Sequence, residues 1–282
     1  MLHGRRGPGF WLLAAFFGLF VLFLYGPTLT ILVLSFQGPT GGLTFPMQGV
    51  SVHWFGNLFE KQMVGDFAGS FERSMALGVA AMLVTVVASF SAGLAFRTRF
   101  RGSALIFYLA IASLIVPSVL VSLGIGLLFR VLGWDPAWYT SAFGAHLTWT
   151  LPFGLLIMFA VLGRFNRSYE EAATDLGATS WQRISEVTLP MLLPGIIGVA
   201  LFGFTLSYDE IARTALTAGS ANTLPLEIWA MTTNVTSPAL YAVGAVTTVV
   251  SFVVITIALS SIAIVQRRRA AGARRATLTS TE

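Results

Sequence analysis

Long apolar stretches separated by short polar intervals run along the chain, and their lengths decide the first reading. Phe10 to Phe36 is apolar almost throughout, interrupted by Gly26-Pro27, and reaches the ~20 residues that a helix needs to cross a bilayer. It exceeds the short apolar core of a signal peptide, and no small-residue cleavage pattern follows it. Met75 to Phe96 predicts a second span, rich in the Ala, Gly and Ser that let helices approach closely. Ala104 to Phe129 predicts a third, with Pro117, Gly124 and Gly126 inside, and Phe143 to Leu162 a fourth, interrupted by Pro152. Met191 to Ala215 and Ala239 to Val265 complete the set. The expected fold class is an all-α membrane protein with six transmembrane helices. Its expected organisation is an N-terminal segment 1–9, a six-helix domain 10–265 and a basic tail 266–282 read as disordered.

Two polar intervals stand out. Gln37 to Ser70 is rich in Gly and Pro and carries Trp54, Phe55 and Phe59, which predicts an extramembrane loop with an interfacial aromatic segment. Ser168 to Pro194 reads SYEEAATDLGATSWQRISEVTLPMLLP and predicts a folded hairpin between spans four and five. Ser168 with Glu171 fits a capping box, and Glu170 and Glu171 suit the first turn of a helix. Gly177 suits the left-handed residue that ends that helix. Thr179 and Gln182 fit the start of a second short helix, and Pro190 and Pro194 mark its passage into the fifth span.

Composition makes the membrane assignment firm. The 282 residues are 55% hydrophobic and 10% charged, against about a quarter charged in soluble domains, so lipid must cover much of the surface. Cysteine is absent, which excludes disulfides and thiolate metal sites. The net charge of +5 comes from arginines at segment ends rather than from a nucleic-acid patch. Arg5, Arg6, Arg97, Arg99, Arg101, Arg164, Arg167, Arg183, Arg267, Arg268, Arg269, Arg274 and Arg275 fall on one side of a six-span topology. Only Lys61, Arg73, Arg130 and Arg213 fall on the other. The positive-inside rule then places both termini and the hairpin in the cytoplasm.

Catalytic chemistry is nearly absent. The single lysine, Lys61, has no Gly-rich loop before it, which rules out a Walker A site, and no GxSxG elbow occurs. His3, His53 and His146 are scattered without zinc-ligand spacing, and no metal site is expected; His146 reads as a packed or interfacial residue rather than a proton relay or ligand. Asp209 and Glu210 are the notable acids of an apolar segment, where ionisable groups are costly and commonly functional. They are either a cation position in a transport path or an interfacial pair neutralised by Arg213 at i+3 or i+4. Trp54, Trp134, Trp138, Trp149 and Trp229 fit an aromatic belt, with a cation–π surface for an ammonium group as the sharper alternative. Tyr208 beside Asp209 fits that alternative too.

The hairpin resembles the EAA signature of ABC-transporter permease subunits from bacterial binding-protein-dependent importers. Glu171-Ala172-Ala173 is followed after three residues by Gly177, then after nine by Val187, and then by Leu189-Pro190. The resemblance implies that Glu171, Ala172, Ala173, Leu176, Gly177, Val187, Leu189 and Pro190 form a coupling helix seated on a separate ATPase. It also implies an inner-membrane location and no catalysis in this chain, with ATP and Mg bound by that ATPase. The implied partners are a second permease subunit in a heterodimer, two ATPase subunits and a periplasmic solute-binding protein. Within the family, Phe204-Thr205-Leu206-Ser207-Tyr208-Asp209-Glu210 is similar to the spermidine/putrescine branch. That similarity implies a polyamine cargo, with Trp54, Tyr208, Asp209 and Glu210 in the substrate path. Ferric iron, aminoethylphosphonate or an opine on the same scaffold remains an alternative, as does a stand-alone secondary transporter.

Overall fold

The computed structural model describes residues 7–60, 65–98, 100–234 and 237–279. Among them every named element is helical, and one isolated bridge joins Gln37 to Val50. Arg5, Arg6, Lys61 and Arg99, which entered the charge count, lie outside the described residues.

The chain divides into two compact units, Met1–Phe67 with Ile228–Ser251, and Ala68–Glu227 with Phe252–Glu282. In the first, α1 (Pro8–Leu34) carries Pro8 at its start, where a missing N–H costs nothing, and passes unbroken through Gly26 and Pro27. It is apolar on all sides and exposes Trp11, Leu12, Phe16 and Phe23 to the surroundings, the pattern of a lipid-facing helix. The expected loop is held by Gln37. Its amide donates to the carbonyls of Gly42 and Thr44 at 3.1 and 3.2 Å and accepts from the Gln48 N–H at 2.7 Å. A short helix, α2 (His53–Asn57), follows.

In the second unit α3 (Phe67–Ala95) begins eight residues before the expected start. The predicted third span is two helices, α4 (Ser103–Ala112) and α5 (Ser118–Val131). Pro117 has no N–H to continue the ladder and sits extended at ψ 131°. The Ser113 hydroxyl next to the break donates at 2.7 Å to the Thr148 carbonyl, which Pro152, four residues further on, cannot supply with an N–H. Among the described residues five helical runs are therefore long and apolar enough to cross a membrane, and α4 and α5 each fall short.

A π-turn at Trp138–Ala142 leads into α6 (Phe143–Leu162), which tolerates Pro152 within it. The hairpin contributes α7 (Ser168–Asp175) and α8 (Ser180–Gln182), and a π-turn at Arg183–Thr188 joins α8 to α9 (Leu189–Tyr208). Helix α9 packs along α6. Small residues set the spacing of this core: a methyl on Gly154 of α6 would collide with Ser89, Thr85 and Val199, and Thr85 donates to Thr150 at 2.8 Å.

The fifth span ends at Tyr208 rather than Ala215, and 209–219 is a chain of turns. A helix absent from the sequence reading, α10 (Leu224–Asn234), follows, with Pro225 in its first turn. The sixth span opens α11 (Ala239–Thr279), whose backbone stays helical through residues 266–279 instead of becoming disordered. Ala and Arg, both strong helix formers, dominate that stretch. In the first unit α11 meets α1 closely, where a methyl on Gly244 would lie 2.9 Å from Ile31.

Candidate functional site

The hairpin is built by two helix-end devices. Helix α7 stops at Gly177, whose φ of +85° only glycine adopts without strain. The Ala178 N–H reaches back to the Ala173 carbonyl at 3.0 Å, closing a Schellman turn over the orphan carbonyls. Thr179 then forms a capping box with Gln182: the Thr179 hydroxyl accepts from the Gln182 N–H at 3.3 Å, and the Gln182 amide accepts from the Thr179 N–H at 2.9 Å. The expected box at Ser168 and Glu171 does not form. Arg167 occupies the cap position, and the Ser168 N–H donates to Asn166 Oδ1 at 3.1 Å. Pro190 marks no turn; the Arg183–Thr188 π-turn carries the helix through it, so the second arm continues directly into α9.

Glu170, one residue before the signature, fastens the hairpin to the body of the unit. It accepts two hydrogen bonds from Arg97, at 2.8 and 2.6 Å, in the forked geometry that suits guanidinium and carboxylate. The Thr188 hydroxyl donates to the same carboxylate, and the Arg97 guanidinium lies over Phe165 at 5.5 Å. The Arg97 bonds hold the Glu170 carboxyl below its ordinary range. In the sequence Glu170 reads only as a first-turn acid and Arg97 only as a topology charge. A pair 73 residues apart leaves no local pattern to find.

Of the expected coupling residues, Glu171, Ala172, Leu176, Leu189 and Pro190 are exposed, and Ala173 and Val187 are half-buried. Leu176 is 90% exposed and Trp181, which sequence reading passed over, 75%. Two large apolar side chains so presented beside a polar helix make an unpartnered apolar surface.

The second polar centre lies where α9 ends. Arg213 is 1% exposed, its guanidinium 3.2 Å from Glu210 Oε2, 2.7 Å from Ser118 Oγ and 4.5 Å from the Trp149 ring centre. Glu210 Oε1 accepts the Arg213 backbone N–H at 2.9 Å. The Ser122 hydroxyl donates to the Arg213 carbonyl and accepts from the Leu216 N–H, each at 3.0 Å. His146 is buried as a packed residue: its Nδ1 is 2.7 Å from Ser207 Oγ and its Nε2 2.8 Å from Thr214 Oγ1. Since the Thr214 hydroxyl donates to the Glu210 carbonyl, Nε2 must be the donor toward Thr214. Arg213 was counted as an exterior charge and also weighed as the i+3 or i+4 partner of the acids; the structure buries it and pairs it with Glu210, at i+3.

Asp209 is exposed and has no side-chain hydrogen bond or ion pair among the described residues. Tyr208 is stacked on Phe204 at 5.5 Å, and its hydroxyl is buried without a partner among the described residues. Trp54 belongs to the other unit, where it is 7% exposed and donates its indole N–H to the Gly38 carbonyl at 3.3 Å. Among the described residues no group of His, Asp and Glu has metal-binding geometry.

Comparison with known proteins identifies the class. Residues 84–270 match the family described as "Binding-protein-dependent transport system inner membrane component", and the chain belongs to that family. It is a permease subunit of the ABC importer class and a multi-pass protein of the bacterial inner membrane. The spermidine/putrescine transport system permease protein PotC of Escherichia coli (strain K12) is 27% identical over 235 residues, covering 83% of this chain and 87% of that one. The putrescine transport system permease protein PotI of the same strain is 32% identical over 217 residues, covering 73% and 75%. The fold is similar to that in the crystal structure of a bacterial alginate ABC transporter in complex with alginate pentasaccharide-bound periplasmic protein. That match has a TM-score of 0.61 at 17% identity, covering 88% of this chain and 92% of the other.

Proposed function

We propose that this chain forms half of the translocation path of an ATP-driven importer for a small polycation, a polyamine such as putrescine or spermidine. The observation that carries the substrate class is Asp209. It is an exposed, unpartnered carboxylate directly at the C-terminal end of α9, where the helix dipole also favours a cation. Acids and broken helix ends at the same point suit recognition of a cation inside a membrane protein. Tyr208 beside Asp209 is buried with its ring stacked on Phe204, and its hydroxyl has no partner among the described residues. The relatives' names, spermidine/putrescine and putrescine permeases, support the same class. Trp54, expected in this path, presents little surface to a ligand in its buried position.

The topology proposed with this function has six crossings, the broken pair α4–α5 serving as the third. The arginine distribution puts the termini and hairpin in the cytoplasm. There Leu176 and Trp181, with the face of Glu171, Ala172 and Ala173, dock on an ATPase that binds ATP and Mg. The assembly is completed by a second permease subunit, a second ATPase and a periplasmic receptor; a receptor-bound structure of similar fold supports the last of these. Because α8, the π-turn and α9 are one continuous helical run, displacement of the hairpin is passed directly to the membrane helix that ends at Asp209.

Reconstitution with candidate partner permease, ATPase and receptor tests the proposal. Putrescine-loaded receptor should accelerate ATP hydrolysis and drive putrescine into vesicles. Stimulation by receptor loaded with ferric iron, aminoethylphosphonate or an opine, and not by polyamines, would replace the substrate. Uptake driven by an ion gradient without any ATPase would overturn the importer.

A further inference from the structure

Two acids stand side by side after α9, and the geometry gives them different work. Both oxygens of Glu210 are committed to Arg213, one to its backbone N–H at 2.9 Å and one to its guanidinium at 3.2 Å. The same guanidinium covers Trp149, the seat that an ammonium ligand would otherwise take. Arg213 is the bulkiest of the fully buried side chains, so a ligand could displace it only by opening the site. Its backbone is fixed as well: Ser122 of α5 holds its carbonyl, and Ser141 donates to the Thr217 carbonyl at 2.6 Å further along the segment. Non-helical backbone is tolerated at membrane depth only when protein or water satisfies it, and in 209–219 this stitching adds to the segment's own turn hydrogen bonds.

We propose that Arg213 and Glu210 form a permanent internal ion pair that positions the 209–219 segment, leaving Asp209 as the one carboxylate of this chain that meets the substrate's terminal ammonium group. This rests on the cationic-substrate reading above and deepens it. The acidic pair therefore binds a single ammonium group, not two. Glu210 and Arg213 are positioning residues, and neither touches the substrate.

The test compares Asp209→Asn, Glu210→Gln, Arg213→Met and the double change Glu210→Gln/Arg213→Met. Two readouts are used: melting of the purified protein, and putrescine uptake by the reconstituted importer. Removing either partner alone strands a buried charge or its counter-charge, so each single change should lower the melting temperature, and the double change should recover most of that loss. In uptake, Asp209→Asn should raise the half-saturating putrescine concentration at least tenfold while melting as the parent does. The double change should keep it within about threefold, with any deficit in maximal rate. Additive melting losses in the double change would overturn the ion pair. A tenfold rise in half-saturation that persists in the double change would make Glu210 a substrate contact and overturn the division of roles. If the unaltered importer carries no putrescine, the polyamine reading fails, and the melting cycle still decides the ion pair.

Discussion

Glu170 and Arg97 lie 73 positions apart and meet in two hydrogen bonds of 2.8 and 2.6 Å, tying the cytoplasm-assigned hairpin to the end of α3. Their side chains are 15% and 16% exposed, so water screens the pair only in part. A hydrogen-bonded charge of this kind contributes about 1.5–3 kcal/mol. Arg97→Ala should lower the stability of the purified protein by that amount and weaken coupling of ATP hydrolysis to uptake. Arg97→Lys should recover less than half, because an ammonium cannot reproduce the fork. Full recovery by lysine would show that charge alone matters.

The same pair sets a pH dependence. Glu170 has a folded-state pKa below its unfolded value, so its contribution is complete above the ordinary carboxylate range and is lost as pH falls through the folded value. The stability gap between the parent protein and Glu170→Gln should stay constant from about pH 8 to about pH 6 and narrow only in acid. A gap that widens with acidification would contradict the sign.

Gly177→Ala isolates backbone strain. No heavy atom lies within 4 Å of an added methyl, so the whole cost is the left-handed conformation at φ +85°, about 1–2 kcal/mol. Gly177→Asn should cost less, because asparagine tolerates that region better. Thermal melting of the three proteins gives the order.

Leu176 and Trp181 should contribute to partner binding rather than to folding, since their side chains touch little of this chain. Changing both to serine should leave melting unchanged and weaken ATPase association at least tenfold. Co-purification at equal expression measures it, and undiminished association would move the docking surface elsewhere.

Two helical glycines should respond oppositely to alanine. At Gly154 the methyl meets Ser89 and Thr85 inside the packed core, at a cost of about 1–3 kcal/mol. At Gly198 it meets nothing within 4 Å, and the better helix propensity should stabilise by about 0.5–1 kcal/mol. Equal effects would mean that α3 and α6 are not in close contact.

The spans, the hairpin and its Gly177 turn were legible because each is a local property. Apolar length selects a membrane helix, and a glycine with a capping pair behind it ends one helix and begins another. The EAA spacing was legible for the same reason, as Glu171 to Pro190 lie within one hairpin. What misled was local pattern without its surroundings. Ser168 and Glu171 have capping-box spacing, yet Asn166 reaches the Ser168 N–H first. Ala104 to Phe129 has enough apolar residues for one helix, yet Pro117 divides it, with Ser113 bonding to α6 beside the break. The fifth span was carried to Ala215 because Ile211, Ala212 and Ala215 keep apolar positions among the charges after Tyr208, whereas the backbone there turns.

The sequence by itself therefore determined a helical membrane protein with a hairpin that carries the EAA spacing, since hydropathy and spacing are written along the chain. Tertiary structure decided which of the possible pairings forms. It drew Arg97 onto Glu170 and turned Arg213 inward onto Glu210 and Trp149, while Asp209 stayed open. A charge removed from water needs a partner at hydrogen-bond distance, and for Arg97 and Glu170, 73 positions apart, packing among helices supplies it.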